Sequence, residues 1–110
     1  MGTDVPAANN AASQFLDLLQ QGRLDEAYAA TSTGFRARES PEQFKAFLKQ
    51  YQALTGGTSR TGNGVRVFQN PSGKQAFVQV TVHAPSNATT CTLVLVEEGG
   101  GWRVDRITVP

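Results

Sequence analysis

Apolar and polar positions alternate with a helical period in the first half of the chain and with a period of two in the second. From Pro6 to about Gln21, Ala8, Ala12, Phe15, Leu16 and Leu19 recur at steps of three and four. That spacing places them on one face of an amphipathic helix, which Gly22 ends as a C-terminal cap. A shorter helix from Arg23 to about Thr31 puts Leu24, Ala27 and Tyr28 on one side. Ser32 to Arg38 reads as a connection anchored by Phe35. The sharpest local signal is the start of the third helix. Ser40 as N-cap, Pro41 at the first helical position and Gln43 three residues after the cap spell a capping box, which satisfies backbone donors the helix leaves open. Phe44, Phe47, Leu48 and Tyr51 form its buried stripe, and Gly56-Gly57 ends it.

Beyond Gly57 the β-branched residues take over, and four strands are expected near Gly64 to Gln69, Gln75 to Ala84, Thr89 to Glu97 and Trp102 to Val109. Asn70-Pro71-Ser72-Gly73, Pro85-Ser86-Asn87 and Gly99-Gly100-Gly101 join them. Such short linkers, rich in turn residues, imply antiparallel hairpins. Gly62-Asn63-Gly64 also reads as a turn; neither it nor the triple glycine leads from a strand into a helix, so neither is a phosphate loop. Helices first and a meander second predict an α+β fold, with N-terminal helices packed on a curved four-stranded antiparallel sheet. Residues 1 to 6 read as a disordered tail, Met1-Gly2-Thr3 as an added start, and 7 to 110 as one domain.

Composition narrows the function classes. The 110 residues, 39% hydrophobic and 17% charged, suit a single core. Ten basic residues against nine acidic ones leave a net charge of +1, which gives no field to steer the chain to nucleic acid or anionic lipid. One cysteine, Cys91, permits no internal disulfide; with one histidine, His83, it supplies too few soft ligands for structural zinc. No metal or cofactor is expected. No apolar run reaches the roughly 20 residues of a spanning helix, so no membrane insertion is expected within this chain.

The order of three helices followed by a sheet ending in Gly100-Gly101-Trp102-Arg103-Val104-Asp105-Arg106-Ile107-Thr108-Val109 resembles the nuclear transport factor two-like (cystatin-like cone) superfamily, in particular its short bacterial members. Phe15-Leu16, Gly22-Arg23-Leu24-Asp25-Glu26-Ala27-Tyr28 and Ser40-Pro41-Glu42-Gln43-Phe44 carry the likeness with the Trp102 strand. The resemblance implies a cone whose sheet wraps a helix around an apolar cavity. It also implies a domain that is either an isomerase, dehydratase or hydrolase or a non-catalytic binding module. Similar short members often follow an export signal or membrane anchor, which favours a periplasmic or cell-surface location.

Catalytic cones pair a carboxylate with a Tyr or protonated acid in the cavity. The candidates for such a pocket are Tyr28, Tyr51, Trp102 and Asp105, although no motif aligns them with the family's catalytic positions. Asp105, between Arg103 and Arg106, reads first as an ion-paired strand residue. Both tyrosines read as core aromatics with the hydroxyl at the edge. His83 reads as solvent-facing beside a hairpin and Cys91 as a small core residue in phase with Leu93 and Leu95. Trp102 is expected in the core beside Phe15 and Phe44. The leading expectation is a non-catalytic accessory domain that binds an apolar small molecule or a protein partner through the cone. The alternative is a small cone enzyme moving a proton on an apolar substrate. Leu93-Val94-Leu95-Val96 is apolar on both faces, so Phe77, Val94 and Val96 should be left on the open side of the sheet. They are the interface candidates for a homodimer through that face.

Overall fold

The computed structural model describes residues 4–71, 73–85 and 87–109. Its elements are α1 (Asp4–Gln20), α2 (Leu24–Ala29), α3 (Thr33–Arg38), α4 (Pro41–Gln50), α5 (Gln52–Gly56), β1 (Ser59–Asn70), β2 (Gly73–His83), β3 (Ala88–Glu98) and β4 (Gly101–Thr108). The strands form one antiparallel sheet in the order β1-β2-β3-β4, and the helices pack against it. The α+β architecture expected from the change of period is therefore the fold of the protein.

Several boundaries follow from identifiable chemistry. α1 ends in a Schellman arrangement: Gly22, at φ 75°, donates to the Leu19 carbonyl at 3.1 Å and Arg23 donates to the Leu18 carbonyl at 2.9 Å. Its other end starts earlier than expected. Asp4, Val5 and Pro6 form the first turn rather than a tail, and Asp4 accepts from Lys74 at 3.0 Å, fastening α1 to the start of β2. Residues 1–3 lie outside the described residues. The capping box on α4 is complete: Ser40 Oγ accepts from the Gln43 N–H at 3.2 Å, and Gln43 Oε1 accepts from the Ser40 N–H at 2.8 Å.

Three elements depart from the sequence pattern. The connection after α2 contains a helix, α3, because Ser32 Oγ accepts from the Phe35 N–H at 3.0 Å and caps a turn that pattern alone does not mark. Helical backbone is interrupted at Tyr51 (φ −127°, ψ 70°), and α5 resumes with Ala53 and Leu54 buried. Gly62-Asn63-Gly64 is no turn. β1 begins at Ser59 and runs through it with a register shift between Gly62 and Gly64. That bulge and another between Val94 and Leu95 on the β3–β4 pair are where the sheet bends and twists. Gly57 has its own reason: a Cβ there would meet the Ala53 carbonyl at 2.6 Å, so only glycine lets α5 close onto β2. The β3–β4 hairpin turns through Gly99 and Gly100, both at positive φ (62° and 84°), as a two-residue hairpin requires.

The core lies between the helices and one face of the sheet. Ala12, Phe15, Leu16 and Leu19 of α1 meet Phe44 and Leu48 of α4, together with Val78 and Val82 of β2, Leu93 and Leu95 of β3 and Val104 of β4. Cys91 is fully buried in this layer, as its phase with Leu93 and Leu95 predicts. Burial pushes its thiol up to about 11. The free edge of β4 is partly covered: Thr31 bridges Val104 in parallel, and the Ser32 N–H donates to the Val104 carbonyl at 2.8 Å.

Candidate functional site

Aromatic side chains fill the interior between the helices and the sheet. Phe44 stands at the centre, with ring centroids 6.2 Å from Phe15, 5.8 Å from Tyr28 and 5.7 Å from Phe35. α1, α2, α3 and α4 each supply one ring, which is the consequence of their apolar faces converging over the sheet. The space left between Phe35, Glu39, Phe47 and Ile107 amounts to about 20 Å³. That is room for about one water molecule.

Of the pocket candidates only Tyr28 places its ring in this cluster; Tyr51, Trp102 and Asp105 lie around it, and the four do not converge. Tyr28 donates its hydroxyl to the Glu39 carbonyl at 2.7 Å, so its polar end is committed to the backbone. Tyr51 packs its ring on Phe47 at 5.1 Å. Trp102 rests on the core from the sheet's end but is only partly buried, and the aromatic cluster forms without it. Asp105 sits in the bulge of β4, where its Oδ1 accepts from Ser32 Oγ at 2.6 Å and lies 3.7 Å from Arg38 Nη2. Arg38 also donates to the Asp105 carbonyl at 2.6 Å. The ion pair expected with a neighbour in the strand is thus made with α3 instead. His83 is half-buried, its Nε2 3.1 Å from Thr61 Oγ1 across the β1–β2 pair.

The outer face of the sheet is the more open surface. Val65 and Val67 of β1 turn inward with Ala76 and Val78 of β2, so the alternation places Arg66, Phe68, Gln75, Phe77 and Gln79 outward. On β3 the same alternation turns Thr90, Thr92, Val94 and Val96 toward this face. Phe77 and Phe68 are 39% and 43% exposed and touch edge to face at 5.4 Å. Val94 is on this face, as expected, but only 9% exposed; the open apolar area comes from the two phenylalanines instead. Phe68 joins the interface candidates Phe77, Val94 and Val96: its place two residues after Arg66 in an alternating strand puts it on the same face. Polar side chains continue the face: Asn63 donates to Thr81 Oγ1 at 2.9 Å, and Thr81 and Thr90 share a hydrogen bond of 2.8 Å.

Phe77 separates two depressions on this face. One, of about 490 Å³, is lined by Asn63, Arg66, Gln79 and Thr92; the other, of about 360 Å³, by Gln75, Val94, Asp105, Arg106 and Thr108. A third hollow, of about 730 Å³, lies on the helical side, with Leu19, Leu24 and Leu48 on its floor and Lys45 and Lys49 at its rim. Among the described residues no three histidine, cysteine or acidic side chains gather as a metal site, and no helix is long and apolar enough to cross a membrane.

Fold and surface together define an α+β domain with a filled interior and an open sheet face. Compared with models of known protein families and with curated proteins, the chain matches none of them.

Proposed function

We propose that this protein is a non-catalytic binding domain of the cone-like type, working outside the bacterial cytoplasm, whose contact surface for a protein partner is the outer face of the sheet. The single observation that carries this reading is the pair of exposed, mutually packed phenylalanines, Phe68 and Phe77, on a face that no helix covers among the described residues. Exposed aromatics at the centre of a patch are the side chains that anchor partners, because they bury large area at small entropic cost. The proton-transfer alternative needs a carboxylate and a hydroxyl donor converging in one dry cavity. Here Asp105 is held by Ser32 and Arg38, and Tyr28 by Glu39.

The experiment is allelic replacement in the native host, scored against deletion of the gene. Phe77→Lys should reproduce the deletion phenotype while the purified variant keeps its circular dichroism and melting temperature. Asp105→Asn should be indistinguishable from wild type. The opposite pattern, with Asp105→Asn folded and inactive, would replace this reading by the enzymatic one.

A further inference from the structure

Two exposed arginines of the outer face stand in one row, while Arg103, on the same face beside Val96, donates to the Ala29 carbonyl at 3.1 Å. Arg66, Phe77, Val94 and Arg106 are consecutive cross-strand partners, one from each of the four strands. Adjacent strands lie about 4.8 Å apart, so the two arginine Cα atoms stand about 14 Å from each other with an apolar pair between them. Both arginines are exposed, and among the described residues neither forms an ion pair. The two carboxylates on the β4 side of this face are engaged elsewhere. Asp105 is held by Ser32 and Arg38, and Glu98 accepts from the Thr33 N–H at 3.1 Å and from Thr33 Oγ1 at 2.9 Å.

We propose, resting on the sheet-face reading above, that the row Arg66-Phe77-Val94-Arg106 binds an extended acidic segment of a partner protein that crosses the strands, with the pattern acid-x-apolar-x-acid. In an extended chain residues i, i+2 and i+4 share one face, and i and i+4 are about 13 Å apart. That matches the row: one carboxylate per arginine, and an apolar side chain over Phe77 and Val94. The two depressions on either side of Phe77 each contain one of these arginines and supply amide or hydroxyl groups for the partner's backbone: Gln79 and Thr92 in one, Gln75 and Thr108 in the other. Guanidinium groups suit carboxylates because their donors match both oxygens. A second copy of this chain fits worse, since stacking this face on itself sets arginines against arginines. Nucleic acid fits worse too: its phosphates follow one another far more closely than two cations about 14 Å apart, and the chain's net charge is only +1.

The test is titration of the ¹⁵N-labelled protein with the blocked peptide Glu-Ser-Leu-Ser-Glu, followed by amide chemical shifts at low salt. Shifts should concentrate at Phe77, Gln79, Thr92 and Val94 and weaken as salt is added. Arg66→Gln and Arg106→Gln should each raise Kd about tenfold, the loss expected for one charge-assisted contact. Lys49→Gln, on the helical side, should leave it unchanged. The isomeric peptide Glu-Glu-Leu-Ser-Ser should bind more weakly, because it cannot reach both arginines. The proposal is overturned by the absence of saturable shifts at millimolar peptide, by shifts centred elsewhere, or by equal affinity in the arginine variants. A dimer seen by sedimentation that Arg66→Gln strengthens would also overturn it and assign the face to a second copy. In any of these cases, loss of the host function in Phe77→Lys would keep the sheet-face reading standing without the acidic ligand.

Discussion

Cys91 is the residue whose surroundings most alter its chemistry. It lies wholly within the core, and burial lifts its thiol from the ordinary 9.0 to about 11. The thiol is therefore neutral and inert at physiological pH. The linkage has a definite sign. The folded pKa is raised, so the associated stability is complete below pH 9 and is lost as pH climbs from 9 toward 11, where the unfolded chain releases the proton first. By the usual conversion this is on the order of 3 kcal/mol at the alkaline end. Urea denaturation of wild type and Cys91→Ala from pH 7 to 11 isolates it: the stability difference between them should change by that order above pH 9. A difference that stays constant to pH 11 would contradict the burial argument.

Helix starts show how much of an element's stability is local. α3 and α4 both begin at a serine N-cap, but the two caps have different surroundings. Ser40 caps α4 at the surface and is assisted by Gln43, so Ser40→Ala should cost about 1 kcal/mol. Ser32 is buried and does two things at once: it accepts from the Phe35 N–H and donates to Asp105. Ser32→Ala removes the cap and strips Asp105 of its hydroxyl partner, for an expected cost of about 2 to 3 kcal/mol. Chemical denaturation of the two variants side by side gives the comparison. Equal losses would mean that the Ser32–Asp105 contact adds nothing to the cap.

At the scale of the whole molecule, the interior is organised around Phe44. It is fully buried and touches rings from α1, α2 and α3, whereas Trp102, the largest side chain of the protein, is only partly buried at the sheet's end. Phe44→Ala should therefore destabilise by about 3 to 5 kcal/mol, a large share of the stability of a domain this size. Trp102→Ala should cost less. Melting temperatures of both variants decide the order, and a lower melting point for the tryptophan variant would put the centre of the core in the wrong place.

What the sequence determines alone is whatever depends on near neighbours in the chain. The period of three to four through Ala12, Phe15, Leu16 and Leu19, the capping box at Ser40 and the alternation through Val78, Val80 and Val82 each encode an element within a few residues. Their order suffices for the α+β class. The glycine-bearing linkers dictate hairpins and hence an antiparallel meander. Residues joined only by folding lay beyond such reasoning. Ser32 becomes a cap and a ligand of Asp105 because Thr31 docks on the edge of β4, and the two serine–aspartate partners are 73 residues apart. Gly62-Asn63-Gly64 has the composition of a turn, yet β2 offers backbone partners on both sides of it and turns it into a bulge. The alignment of Arg66 with Phe77, Val94 and Arg106 depends on the registers of three strand pairs, and a one-residue slip in any of them would carry a side chain to the opposite face. Alternation within a strand says which residues share a face; only the tertiary structure decides which of them stand side by side.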